Sequence, residues 1–282
     1  MSTSKPTSPL ISADALEARL GDRDLKIVDV RGAWATPPQV DRDEYETSHI
    51  PGAVFAEWST IFNDTDGPLN LAPVAGYEQA KQSFAKLGIN AGDTVVIYDN
   101  YHHMMAGRIW WSMRYWGFAD AKILNGSWPH WERSGRPVTN EVTVPTAGTF
   151  EPVAQDNVRT SLKALIGSKD RACLLDGRGA EGYSGKADDP KSGHIPGSLN
   201  VPFRSLIDAE TGLFLEDQAL EAIFDAAAAD WRDTQIITTC GAGYAATVLF
   251  AALEHLGASA SLFDGSFAEW KQDPKRPIAQ NL

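Results

Sequence analysis

Short apolar runs alternate along the chain with segments in which apolar residues recur at helical spacing. Runs that are apolar on successive residues are typical of strands buried on both faces of a parallel sheet. The clearest runs are LKIVDV (25–30), TVVIYD (94–99), ACLLD (172–176) and TQIITT (234–239). Two helix signals lie outside these runs: Ser12, before the first run, is a candidate N-cap, and Gly257, after the last run, follows a helix rich in small residues. This alternation predicts an α/β fold whose ligand site lies at the carboxyl ends of the strands.

The pattern occurs twice, with the same landmarks in the same order. The first half contains IVDVRG (27–32), HIPGAVF (49–55), TVVIYDN (94–100) and LNGSWPHW (124–131). The second half contains LLDGRG (174–179), HIPGSLNVPF (194–203), QIITTCG (235–241) and FDGSFAEW (263–270). The alignment pairs Asp29 with Asp176, His49 with His194, and Asp99 with Cys240. A repeat of this length indicates a tandem duplication.

The duplication predicts two domains of the same α/β fold. We place the N-terminal domain at residues 1–139 and the C-terminal domain at 158–282. The segment 140–157 has no strong periodicity and contains two prolines, so it is predicted to be the linker. Each domain is expected to be a mainly parallel sheet flanked by helices on both faces.

Composition and charge narrow the function. The net charge of −12, with no run of Lys or Arg, argues against a nucleic-acid partner, and an anionic substrate would need a local cluster of amides or cations. No apolar run reaches the ~20 residues of a membrane span. The N-terminus MSTSKPTSPL lacks the apolar core of a secretory signal, and the chain has two cysteines. We therefore predict a cytoplasmic protein with no membrane partner.

The segment IITTCGAGYAATVLFAALEHL carries the most informative chemistry, because it places Cys240 between a strand and a helix. Gly241 and Gly243 permit backbone conformations in which successive N–H groups face one centre. The helix N-terminus adds a partial positive charge, so the loop is predicted to stabilise a thiolate or persulfide at Cys240. Cys173, in contrast, lies inside the apolar run RACLLD without a neighbouring glycine, and we interpret it as a core residue.

Other readings of this chemistry are weaker. Most free cysteines are buried core residues with only a structural role, but the glycine loop around Cys240 argues against that role here. A phosphatase loop would need a guanidinium, and CGAGYAAT contains neither Arg nor Lys. No CxxC pair occurs, and the adjacent His102 and His103 do not make a metal site by themselves, so no metal or cofactor is predicted.

These motifs together resemble the two-domain rhodanese family, the thiosulfate and 3-mercaptopyruvate sulfurtransferases, over about residues 11–277. The resemblance implies two rhodanese-like domains, with the catalytic cysteine, Cys240, in the second. The first domain would be an inactive copy, because Asp99 occupies the cysteine position. The implied active-site loop consists of Gly241, Ala242, Gly243, Tyr244, Ala245 and Ala246. Its neutral character is similar to that of mercaptopyruvate-preferring members.

The chain departs from that pattern where substrate would bind. Ala242 replaces a loop serine that relays a proton in the family, and Tyr244 replaces a small aliphatic residue; Tyr244 would contact substrate or pack at the domain interface. Gly182 stands where the family has an arginine for the substrate carboxylate. Lys191 lies near the position of a second such arginine, and Lys186 is another candidate cation. A lysine there would offer the substrate carboxylate a single positive charge, whereas an arginine would offer two parallel N–H donors.

Polar residues of the two repeated motifs, DxR and HIPG, are further candidates for structural or functional roles. Arg31 and Arg178 occur in both DxR motifs, so a structural ion pair is favoured for both, although Arg178 is also a substrate-binding candidate. His49 and His194 occur in both HIPG turns, so a structural hydrogen-bonding role is favoured for both. By resemblance, His49 would in addition face the active site of the other domain. Asp41 and Asp43 are its candidate carboxylate partners.

The sequence therefore predicts a sulfurtransferase that carries sulfur as a Cys240 persulfide. The favoured donor resembles 3-mercaptopyruvate, and thiosulfate is the alternative. The acceptor would be cyanide, a small thiol or a reduced protein thiol, such as that of a thioredoxin-like protein. Two other functions stay open: a persulfide-carrying or regulatory module that acts on a protein partner without turnover, and an inert interaction scaffold.

Overall fold

The computed structural model describes residues 8–35, 37–66, 73–168, 172–228 and 230–281. Residues 1–7, which form most of the polar N-terminus used to argue against a secretory signal, lie outside this description. Within the described residues, no helix is both long and apolar enough to cross a membrane.

The first half forms a five-stranded parallel sheet with the strand order β1-β7-β6-β2-β5. The strands of this sheet are β1 (Leu10–Ile11), β2 (Leu25–Asp29), β5 (Ala53–Phe55), β6 (Thr94–Tyr98) and β7 (Ala121–Leu124). A separate antiparallel pair is formed by β3 (Gly32–Ala33) and β4 (Gln39–Val40). The helices of the first half are α1 (Ala13–Glu17), α2 (Arg42–Thr47), α3 (Tyr77–Lys86), α4 (Met104–Tyr115) and α5 (Ser127–Arg133).

The second half forms a four-stranded parallel sheet with the order β11-β10-β8-β9. Its strands are β8 (Ala172–Asp176), β9 (Leu199–Asn200), β10 (Gln235–Thr239) and β11 (Ala260–Leu262). Its helices are α6 (Leu162–Ser168), α7 (Ala180–Ser184), α8 (Asp217–Ala227), α9 (Ala245–His255) and α10 (Ser266–Trp270), with 3₁₀ turns at Asp156–Val158 and Phe203–Leu206. A single parallel bridge from Arg159 to Leu262 takes the place of the β1–β7 pairing.

Both faces of each sheet are buried, which explains the continuous apolar runs. In β6, Val96 and Tyr98 pack in one cluster with residues of α1, α2 and α5, whereas Val95 and Ile97 join a second cluster with α3 and α4. In β10, Ile237 and Ile236 divide in the same way. The predicted α/β architecture of two sheets flanked by helices on both faces is confirmed.

The two halves are joined through α4 and α9, which pack against each other. A Cβ built on Gly107 of α4 would come within 2.6 Å of the Thr247 Oγ1 of α9, so the glycine permits this close approach. Trp110 lies edge to face on Phe250 with ring centroids 5.7 Å apart. This shared core fixes the carboxyl end of β10 against the first half.

Two local signals account for helix ends. The Ser12 hydroxyl accepts a hydrogen bond from the Ala15 N–H at 3.2 Å, and Gly257 follows α9 with φ +84°. Residues 140–155 form no helix or strand, but their backbone is held against the first half, for example by the Phe150 N–H donating to the Ile89 carbonyl.

Candidate active site

Cys240 lies directly after β10, in the loop that leads into α9. Its side chain is buried, and the Gly243 N–H donates to its Sγ at 3.2 Å. The Cys240 N–H donates to the Ser266 Oγ at 3.1 Å, and this Oγ lies 3.9 Å from the Sγ. The thiol is thus held by hydrogen-bond donors at the amino end of a helix.

The two loop glycines have different reasons to be glycine. Gly243 has φ +80°, and a Cβ there would lie 2.3 Å from the Asp264 carbonyl oxygen. Gly241 does not have a positive φ, and a Cβ there would meet only the Arg178 Cδ, at 3.9 Å. The expectation of special backbone freedom therefore holds for Gly243 and not for Gly241.

Several N–H groups at the start of α9 remain available. Among the described residues, the amides of Ala242, Tyr244, Ala245 and Ala246 have no hydrogen-bond acceptor. Unpaired amides at a helix start are a ready anion-binding arrangement.

The matching loop of the first half already holds an anion. One oxygen of the buried Asp99 carboxylate accepts from the N–H groups of Tyr101 and His103, each at 3.1 Å, and from the Ser127 hydroxyl at 3.2 Å. The other oxygen accepts from the amides of residues 105 and 106, each at 3.0 Å. The same repeat serine that contacts Cys240 contacts Asp99, since Ser127 and Ser266 occupy equivalent positions.

Tyr244 lies at the interface of the two halves. Its hydroxyl accepts from the Asn63 Nδ2 at 3.0 Å, and its ring lies edge-on to Trp34 and Trp58, with centroid distances of 4.9 and 5.5 Å. Burial raises the pKa of Tyr244 to about 12, so its phenol is neutral at physiological pH. Interface packing is thus its clear role, although its ring also forms part of the cavity wall at Cys240.

A cavity of about 390 Å³ opens above Cys240. Its wall is largely apolar and is formed by the loop together with Trp34, Met104, Phe203 and Tyr244. A second cavity of about 290 Å³ adjoins it and is lined by Gly182, Asp189 and Lys191 among others. The two cavities share Arg178, Gly241, Ala268 and Lys271 as wall residues.

The cationic residues predicted to bind substrate differ in whether they line the two cavities. Lys191 lines the second cavity, whereas the exposed Lys186 lines neither of these two cavities. Arg178 lines both cavities, but its guanidinium binds the Asp176 carboxylate, at 2.6 Å for the shortest contact, and the carbonyls of Gly182 and Gly193. The structural ion pair expected for Arg178 is present, and Arg31 makes the equivalent buried pair with Asp29.

Two residues near the loop were missed from the sequence. Arg108 of α4 is buried and donates to the Gly243 carbonyl at 3.4 Å, so the first half supports the loop of the second. Lys271, directly after α10, lines both cavities. No motif marks either residue, but Lys271 could have been found because it follows the repeat tryptophan Trp270 at the place where the first half has Glu132.

A family model of the rhodanese-like domain matches residues 12–134 and 158–273. The chain belongs to the rhodanese family.

Relatives of this rhodanese extend over nearly its whole length. Thiosulfate/3-mercaptopyruvate sulfurtransferase 2 of Arabidopsis thaliana is 30% identical, over 96% of this chain and 86% of that protein. The 3-mercaptopyruvate sulfurtransferase of Escherichia coli is 29% identical, over 96% and 98%. The crystal structure of SseA from Escherichia coli, a 3-mercaptopyruvate sulfotransferase with the rhodanese fold, covers 92% of this chain and 99% of its own, with a TM-score of 0.78 at 28% identity. This rhodanese is therefore an enzyme of the sulfurtransferase class.

The prediction that His49 faces the active site of this rhodanese is wrong. The imidazole is completely buried, stacks on Tyr45 at 3.9 Å, and has its ring nitrogens at the backbone carbonyls of Tyr45 and Glu141. His194 stacks on Tyr183 in the same way. The HIPG histidines therefore fix their own turns. Nor does Asp41 pair with His49, because its carboxylate accepts from Gln39 and Asn100.

Neither the other cysteine of this rhodanese nor the adjacent histidines His102 and His103 line the cavity at Cys240. Burial, with the nearby Asp230, raises the pKa of the half-buried Cys173 to about 11, so Cys173 is a thiol at neutral pH. His103 is buried against Phe214, and its Nε2 lies 2.9 Å from the Gly212 carbonyl oxygen. Within the described residues, no group of three His, Cys, Asp or Glu side chains is arranged to hold a metal ion.

Proposed function

We propose that this rhodanese moves a sulfane sulfur from a small anionic donor to a thiophilic acceptor through a persulfide on Cys240. The observation that carries the proposal is the Asp99 carboxylate at the position equivalent to Cys240. Four backbone N–H groups of its loop, which we call the amide cradle, donate to this carboxylate. In a persulfide the terminal sulfur is one bond beyond Sγ, as a carboxylate oxygen is one bond beyond Cγ. Asp99 is thus an internal analogue of the charged intermediate.

The analogy identifies the groups that would hold the persulfide. With Asp99 aligned on Cys240, three of the four amides that bind the carboxylate correspond to those of Ala242, Tyr244 and Ala246, and the fourth corresponds to that of Thr247, which donates to the Tyr244 carbonyl. The first three amides have no acceptor among the described residues, so they are available to a terminal sulfur. They stabilise the anion without a metal and need no rearrangement when it forms.

The reaction has two half-steps. The Cys240 thiolate attacks the outer sulfur of the donor, a new S–S bond forms, and the bond from that sulfur to the rest of the donor breaks with its electron pair. With 3-mercaptopyruvate the leaving group takes the thiol proton and departs as pyruvate; with thiosulfate it departs as sulfite. An acceptor thiolate or cyanide then attacks the terminal sulfur and restores the Cys240 thiolate.

The neutral loop favours a mercapto acid as donor. The names of the relatives include both 3-mercaptopyruvate and thiosulfate and do not decide between the two donors. Two features keep thiosulfate as the alternative. Gly182 supplies no guanidinium, and Lys191 in the second cavity offers a single positive charge. Ala242 has no hydroxyl, so a proton relay through a loop serine cannot operate in this chain.

Sulfur transfer to cyanide, measured as thiocyanate with each donor, tests the proposal. Cys240→Ser is expected to lower kcat/KM by on the order of 10³-fold or more, because it removes the nucleophile. The matched control Cys173→Ser should stay within about twofold of the wild type. Similar losses in both variants would refute the assignment of Cys240. Negligible turnover by the wild type with both donors, together with capture of a protein partner as a mixed disulfide, would favour the carrier function instead.

A further inference from the structure

We infer that Lys271 is a specificity-determining residue, which binds the distal anionic group of an organic sulfur donor longer than a three-carbon mercapto acid. The inference rests on the proposed function and refines its donor class. The donor would carry its transferable sulfur at Cys240, an organic body along the apolar wall of the first cavity, and a carboxylate or sulfonate where the two cavities meet.

The position of Lys271 is the first argument. It is one of only four described residues shared by the wall of the Cys240 cavity and that of the second cavity. Its ammonium lies 5.6 Å from the centroid of the Phe267 ring. Among the described residues, no carboxylate lies within 4.0 Å of this ammonium. An unneutralised cation in a protein of net charge −12 provides the local attraction that an anionic donor requires.

The other shared cation does not offer the same charge. Arg178 is bound on two nitrogens by the Asp176 carboxylate and also donates to the carbonyls of Gly182 and Gly193. Its charge is therefore neutralised by a buried partner, and its donors are held in place. Lys271 is left as the cation at the junction that can bind a ligand.

The repeat gives an independent comparison. In the inactive half, the residue after the repeat tryptophan is Glu132, whereas in the half with Cys240 it is Lys271. The two halves thus carry opposite charges at equivalent places. Only the half with the nucleophile has the sign that attracts an anion.

The space around Gly182 supports a longer donor. A Cβ on Gly182 would meet no atom within 4 Å, so the second cavity is open where the resemblance places an arginine. The first cavity, at about 390 Å³, is within the range that holds molecules of many more atoms than a three-carbon acid. Trp34, Met104 and Phe203 give it an apolar wall suited to an alkyl or aryl body.

An aryl thiosulfonate has the required form, and its reaction is balanced. The Cys240 thiolate attacks the outer sulfur of the R–SO₂–S⁻ group. The new S–S bond forms as the bond between that sulfur and the sulfonyl sulfur breaks, and the electron pair leaves on the aryl sulfinate. No oxidant or reductant is consumed.

The test compares benzenethiosulfonate with 4-carboxybenzenethiosulfonate on the full chain. The wild type should prefer the carboxylated donor in kcat/KM by about tenfold or more, because a hydrogen bond to a charged group is gained. Lys271→Gln should abolish this preference and Lys271→Glu should reverse it, whereas Lys271→Arg should keep it. The control Lys163→Gln changes an exposed lysine of α6 and should leave both rates unchanged.

Other outcomes overturn the inference in distinguishable ways. If the wild type uses both donors equally, or if Lys271→Gln keeps the preference, the role of Lys271 is refuted while the Cys240 chemistry stands. If the wild type transfers sulfur from neither thiosulfonate, nor from 3-mercaptopyruvate or thiosulfate, the proposed function fails and the inference fails with it.

Discussion

The loops that follow β6 and β10 have the same plan and differ in the atom at their centre. In the first half, Asp99 fills the loop with its own carboxylate, bound by four amides and the Ser127 hydroxyl. In the second half, Cys240 places a sulfur atom there, and among the residues that the structure describes a single amide, that of Gly243, donates to it. The cradle is thus separable from the nucleophile. A fixed carboxylate satisfies the loop amides permanently, whereas the Cys240 thiol leaves equivalent amides for the terminal sulfur of the persulfide that we propose.

The residues around the two centres differ as well. His102 has φ +55° where Gly243 has φ +80°, so the left-handed turn is kept in both loops. His103 stands where Tyr244 does, and each ring contacts the other half: His103 lies against Phe214, whereas Tyr244 lies edge-on to Trp34 and Trp58. The cavity above Cys240 is lined by both halves, since Trp34 and Met104 of the first half form part of its wall.

The largest expected effect comes from emptying the first cradle. Asp99→Ala leaves four amides without an acceptor, three of them buried, so we expect the free energy of unfolding to fall by about 3 to 5 kcal/mol. Urea denaturation followed by tryptophan fluorescence measures the loss. The exposed Asp43 is the control, and Asp43→Ala should change stability by less than about 0.5 kcal/mol. Equal stability of the two variants would show that the carboxylate does not hold the loop.

Substitution of the two glycines tests the backbone conformation of the Cys240 loop. Gly243→Ala forces a side chain onto a backbone at φ +80° and against the Asp264 carbonyl, so we expect about 2 to 3 kcal/mol of destabilisation. The displaced amide should also lower kcat/KM by about tenfold or more. Gly241→Ala has neither problem and should stay within about threefold of the wild type. If the two variants behaved alike, the cradle would not depend on the left-handed residue.

The smallest effect concerns the interface. Tyr244→Phe removes the hydrogen bond from Asn63 and should cost about 1 kcal/mol at neutral pH. The pKa of Tyr244 is raised to about 12, from an ordinary value near 10, so the folded state favours the neutral phenol. The stability from this preference is complete below pH 10 and is lost as the pH rises from 10 to 12. The advantage of the wild type over Tyr244→Phe should therefore vanish near pH 11; an advantage constant from pH 8 to 11.5 would contradict this.

Much of this arrangement could be predicted from the sequence, because it depends on local patterns. Apolar runs predicted the parallel strands, and the repeat predicted two sheets and an aligned pair of loops. The position of Cys240 between β10 and α9 also follows from neighbouring residues. The sequence could not tell the two loop glycines apart, because both were expected to need an unusual backbone conformation and only Gly243 has a positive φ.

What could not be predicted depends on contacts between distant segments. His49 was placed at the active site by resemblance, but its nitrogens contact Tyr45 and the linker residue Glu141. Tyr244 was assigned to substrate or interface with equal reason, and the choice required Asn63, far away in the chain. Lys271 belongs to no motif, and its place between the two cavities results from the packing of α10 beside the loop.

The measurement that tests the central claim most directly is the intact mass of the protein after incubation with donor in the absence of acceptor. We predict that the wild type gains one sulfur atom, that cyanide removes it, and that peptide mapping places it on Cys240. Cys173→Ser should gain the same sulfur, and Cys240→Ala should gain none. A sulfur that persists on Cys240→Ala would contradict the account, because the protein would then carry sulfur at a residue other than Cys240.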